Sequence, residues 1–141
     1  MKPIDLTKAS PRSPREELGG LCMLPRMIDI ARARLPGGDV GQYHLGPGMS
    51  GLVLRHLGME VDEFVERVGN AENEEALATE LADRRPRAEN RLLNLRLQRA
   101  TVANVPDDMR ARFTGFYGAS LSADKRIFDL LEEDDAKAFG S

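Results

Sequence analysis

The chain has 141 residues, of which 41% are hydrophobic and 30% charged, and its net charge is −3. That length suits one domain with its own core, and the composition excludes a disordered chain, which needs fewer core formers and a larger net charge. No apolar run reaches the ~18–20 residues of a membrane span and the first residues hold no signal-like stretch, so no membrane partner and a cytoplasmic location are expected.

Residues 1–12 read as an extended N-terminal segment, because Pro3, Pro11 and Pro14 interrupt any helix and bias the residues before them away from helical geometry. Ser13, followed by Pro14 and Glu16, has the pattern of a capping box with proline at the first helical position. After Gly19-Gly20, the residues Leu24, Met27, Ile28, Ala31 and Leu35 recur at the three-four spacing of one buried face, and Pro36-Gly37-Gly38 ends that helix. Cys22 is the only cysteine, so neither an internal disulfide nor a cysteine-based metal cluster can form; its apolar neighbours predict a buried, inert thiol.

Residues 37–51 hold six glycines and have the composition of a loop. Leu52, Val53, Leu54 and Leu57 then predict a short helix stopped by Gly58, and Val61, Phe64, Val65 and Val68 predict another. Asn73 can cap a fourth helix through Leu77 and Leu81, and Pro86 separates it from a fifth at about 87–103. Pro106, Asp107 and Asp108 open a sixth, where early acids suit the helix dipole, and a last one covers about 123–133. No stretch sustains strand alternation. The predicted fold is all-α, a single compact domain over residues 1–141 built from six or seven short helices.

Arg26 follows Pro25 at a helix start, where the macrodipole disfavours a cation by ~0.3–1 kcal/mol, so an anion should compensate it. A bound phosphate or carboxylate would do so, with Arg15 and Arg32 within reach; the alternative is an internal ion pair with Asp29, Asp5 or Glu17. Gly46-Pro47-Gly48-Met49-Ser50-Gly51 fits a G-x-G-x-x-G pattern, but without a strand before it the pattern is no dinucleotide fingerprint. Its loop amides could meet a phosphate, or it could be a plain glycine turn capped by Ser50.

Tyr43 and His44 lie in this loop and His56 follows eleven residues later, a spacing that matches no metal site; no metal and no cofactor are expected. Residues 59–83 carry nine acids against Arg67, and residues 84–112 carry eight arginines against three acids. Arginines this dense could face nucleic acid, yet the net charge is negative and no aromatics are interleaved, so mutual pairing of the two blocks, within the fold or across a dimer, is the simpler account, and solvated helix faces are the plainest reading of both. Asn90, Asn94 and Gln98 form a polar stripe that could line a pocket or fix helix register.

Asp5-Leu6-Thr7-Lys8, Pro11-Arg12-Ser13-Pro14, Leu18-Gly19-Gly20, Met23-Leu24-Pro25-Arg26, Ile28-Asp29 and Ala31-Arg32-Ala33 resemble the opening of a bacterial family catalogued only as a domain of unknown function, with the match concentrated in residues 5–69. The acidic run Glu132-Glu133-Asp134-Asp135 departs from that family's pattern. The resemblance implies a small, mostly helical, soluble domain and brings no activity with it.

With no complete catalytic constellation and with charge segregated into blocks, the expected function is a non-catalytic binding or protein-interaction module. Its candidate anion site is Arg15, Arg26, Arg32, Tyr43 and His44, near the start of the helix at 24–35. The expected partner is a small anionic ligand or a protein, including a second copy in a homo-oligomer. The alternative is a small enzyme acting on a phosphorylated or carboxylated metabolite, with Tyr43, His44 or Asp29 near the reacting centre.

Overall fold

The computed structural model describes residues 1–118 and 121–140. Its helices are α1 (Leu24–Ala33), α2 (Met49–Leu57), α3 (Val61–Asn70), α4 (Glu74–Ala82), α5 (Arg87–Arg99), α6 (Asp107–Tyr117) and α7 (Ile127–Phe139), preceded by a hairpin of β1 (Glu17–Leu18) and β2 (Leu21–Cys22). Apart from Arg32, every residue of α1 is buried, so the other elements pack around this helix, with α3 running along it. The apolar positions at three-four spacing in α1, α2 and α3 supply the core residues Met27, Ile28, Val53, Leu57, Phe64 and Val68.

Two boundaries differ from expectation for physical reasons. Ser13 opens no helix: its hydroxyl accepts the Arg15 amide at 3.1 Å and donates to Glu132 on α7 at 2.6 Å, so a tertiary contact takes the place of the helix cap. The chain next turns through Gly19 and Gly20, whose φ values of 61° and 82° suit the two central residues of a tight hairpin loop. The last helix starts later than expected, because residues 100–102 pair with 125–127: the Val102 amide donates to the Lys125 carbonyl, and the Ile127 amide to that of Ala100.

The expected extended start is present. Leu6 donates to the Asp39 carbonyl and Asp39 to the Ile4 carbonyl, a short parallel pairing that closes over the end of α1. Asn73 caps α4 by accepting the Ala76 amide at 2.8 Å. The polar stripe of α5 fixes register. Asn94 accepts the Cys22 amide at 2.9 Å and donates to the Gly20 carbonyl at 2.7 Å, while Asn90 joins His56 to the Ala82 carbonyl. Cys22 is fully buried, and desolvation raises its thiol pKa. Among the described residues no helix is long and apolar enough to cross a membrane.

Candidate functional site

Arg26 lies in the first turn of α1 with 4% of its surface exposed, where a lone guanidinium would be costly. Its charge is met from α7: Asp135 accepts two hydrogen bonds from the guanidinium, at 2.7 and 3.1 Å. Tyr43 adds a third, its hydroxyl donating to Asp135 at 2.9 Å, and the guanidinium lies 5.5 Å from the Tyr43 ring centre. Burial and the adjacent carboxylate both push the Tyr43 pKa above its ordinary value, against the opposing pull of Arg26, so the hydroxyl stays protonated and serves as a donor.

This triad sits beside a cleft of about 150 Å³. Phe113, Phe116 and Tyr117 of α6 form one wall, with Phe113 stacked on Tyr117 and Phe116 edge-on to it. Met23, Arg26 and Ile30 form the opposite wall, and Gln42–Ser50 close one end. Arg112 and Asp134 supply charge at the rim, where Arg112 forms no ion pair among the described residues. Two features mark this cleft. Phe116 is 73% exposed although it is a large apolar ring, and Met23, a buried non-glycine residue, is held at φ 72°.

The glycine loop forms the end of the cleft without acting as a nucleotide fingerprint. Ser50 lies inside α2 and not at its cap; its hydroxyl accepts the Gly46 amide at 2.8 Å and reaches the Pro47 carbonyl at 3.3 Å, closing the loop on itself. Gly51 is required by close approach, since a Cβ there would lie 2.2 Å from the Gly46 carbonyl oxygen.

The candidate residues therefore separate. Arg26, Tyr43 and the exposed His44 share the cleft, whereas Arg15 and Arg32 lie outside it. Arg15 reaches α7, pairing with Asp129 at 2.5 Å and with Glu132, while Arg32 donates to the Lys2 carbonyl at 2.8 Å. Asp29 is also outside the cleft, held by the backbone and side chain of Arg12, which pairs in turn with Glu74 at 2.8 Å. Arg26 thus has an internal ion pair, with Asp135 in place of the nearby Asp29, Asp5 or Glu17. The acidic run is not a solvated tail: Glu132, Glu133 and Asp135 take Arg15, Lys125 and Arg26 respectively.

Neither the aromatic wall nor Asp135 was identified from sequence. A signal for Asp135 exists, since it falls on the stripe of Phe128, Leu131 and Phe139 where an apolar residue belongs. Among the described residues no group of three or more His, Cys, Asp or Glu is placed to hold a metal ion.

Residues 8–137 match the family described as Domain of unknown function (DUF5069), and the chain belongs to that family. The match runs into α7, to residue 137, well past the opening residues that carry the resemblance. Comparison with curated proteins finds no match.

Proposed function

We propose that this DUF5069 domain is a non-catalytic binding module that takes a small anionic molecule with an apolar body in the cleft between α1 and α6. The carrying observation is the juxtaposition of an aromatic wall, the exposed Phe116 and the half-buried Tyr117, with Arg112 and His44 at a rim that also carries Asp134. The apolar body would lie on the rings, and the anionic group would meet Arg112 and the first amides of α2. Arg26 contributes by holding Asp135 and Tyr43 in place rather than by receiving the anion, since its charge is already met by Asp135 and it spends three N–H donors on Asp135 and the Arg12 carbonyl. Two features favour binding over catalysis. Tyr43 is committed to Asp135 with a raised pKa, and His44 makes no hydrogen bond to a carboxylate among the described residues that would orient it as a base.

Thermal unfolding against a panel of aromatic carboxylates, aryl phosphates and organic cations tests this. A ligand at 100 times its Kd adds ~2.7 kcal/mol, which for a domain of this size moves the midpoint by about 9 °C. The expected result is a shift with an aromatic anion that is lost in Phe116→Ser, whose exposed ring can be removed at little cost to the fold. Shifts confined to organic cations, or unchanged by Phe116→Ser, would refute the assignment, and turnover of a bound compound would refute its non-catalytic part.

A further inference from the structure

The two charge blocks do not neutralise each other within the chain. Among the described residues no ion pair joins the two blocks: Arg67 pairs with Glu63 and Glu80, Arg85 with Glu89 and Arg110 with Asp107, while Glu74 is taken by Arg12 from outside both. Mutual pairing inside the fold is thereby corrected, and the reason is that α5 uses its inner face on the core. Asn90, Leu93, Asn94 and Leu97 are buried, which turns Arg87, Arg91, Leu92, Leu95, Arg96 and Arg99 outward. At 100° per residue, Leu92, Leu95 and Arg99 run down the middle of this face, with Arg91 and Arg96 on either side. Leu92 is 65% and Leu95 43% exposed, and none of Arg87, Arg91, Arg96 or Arg99 has an ion-pair partner among the described residues.

The complementary surface lies elsewhere on the same molecule. A groove of about 490 Å³ between α3 and α4 is lined by Glu63, Glu66, Glu72 and Glu80 over an apolar floor of Ala76 and Leu77, with Arg67 its single base. We propose that the outward face of α5 docks into the α3–α4 groove of a second copy of this chain. Arginines then meet carboxylates in the forked geometry they favour, and the leucines between them lose water against the apolar floor. Nucleic acid fits this face less well, because the leucines would lie against a sugar-phosphate backbone and no aromatic side chain is present to stack on bases. The contact joins unlike surfaces of successive copies, and it is independent of the cleft, whose lining residues it does not use.

Light scattering after size exclusion, at about 50 mM and about 500 mM salt, reads the proposal because screening weakens such contacts. Wild type should show masses above the 15.6 kDa of one chain at low salt and that mass alone at high salt. Arg91→Glu/Arg96→Glu and Glu66→Lys/Glu72→Lys should each be monomeric at both salts, because the first cancels the net positive charge of the α5 face and the second makes the groove basic like that face. Mixed in equal amounts at low salt they should associate again, since each restores what the other lacks. The altered side chains are all exposed, so both variants should melt like wild type, which confirms that they are folded. The proposal is overturned if wild type stays monomeric at low salt and high concentration, if association survives both double variants, or if folded variants fail to associate when mixed. Monomeric wild type that binds anionic vesicles or duplex DNA through Arg91 and Arg96 would also overturn it and assign the face to that partner.

Discussion

Asp135→Ala should be the most damaging single change at the cleft. The carboxylate accepts the two guanidinium bonds of Arg26 and the Tyr43 hydroxyl, so its removal leaves a 4% exposed cation with only the Arg12 carbonyl, 3.2 Å away, as a partner. Breaking a buried pair by deleting one member costs about 3–5 kcal/mol, since the survivor keeps its desolvation penalty. With an unfolding entropy of ~2.1 cal/mol/K per residue, 141 residues give about 0.3 kcal/mol/K, so the midpoint should fall by roughly 10–17 °C. Asp135→Asn, which can still accept from Tyr43, should lose less. Arg26→Met/Asp135→Leu should recover most of the loss, because replacing a buried pair by apolar groups of similar volume is often neutral. Thermal and urea melts at neutral pH give the comparison. A loss below about 1 kcal/mol for Asp135→Ala, or a double variant no more stable than the single, would show that α7 is not held to α1 by a desolvated pair.

Arg12 holds the Glu74 carboxyl below its ordinary value of 4.5, chiefly by hydrogen bonding, so this pair stabilises the fold above that pH and is lost as pH falls through the lowered folded pKa. Arg12→Ala should flatten stability between about pH 5 and 3, and urea midpoints that remain parallel to wild type would contradict this. Asn94→Leu removes two hydrogen bonds to the hairpin and leaves the buried Cys22 amide without its acceptor; a loss of about 1–3 kcal/mol is expected, with faster hydrogen exchange at that amide. Gly51→Ala should disturb the loop at the end of the cleft, costing about 1–3 kcal/mol from forced overpacking, and an unchanged melting midpoint would show that the loop yields freely.

Where a residue acts on its neighbours in the chain, its role was legible. The core faces of α1 to α4, the Asn73 cap, the break at Pro86 and the buried Cys22 all depend on spacing of a few residues, and the structure shows each of them. Where the partner lies across the fold, local pattern pointed the wrong way. Ser13 has a helix-cap signature, but Glu132, 119 residues on, takes its hydroxyl; Arg26 had carboxylates close in sequence, but its partner is 109 residues distant. Charge alone ranks candidate partners by sequence proximity, whereas burial ranks them by what the core brings together. An ionised residue on an apolar stripe, as Asp135 is on α7, must find a partner inside the core whatever its distance along the chain. The cleft follows from the same geometry. Phe113 faces the core while Phe116, three residues on, is left exposed beside Tyr117, and only the docking of α6 across from α1 turns that exposed ring into a wall. The α5 leucines differ in kind: the helix-docking face is filled by Leu93 and Leu97, so among the described residues Leu92 and Leu95 stay 65% and 43% exposed, and their exposure is a property of the surface rather than of the core.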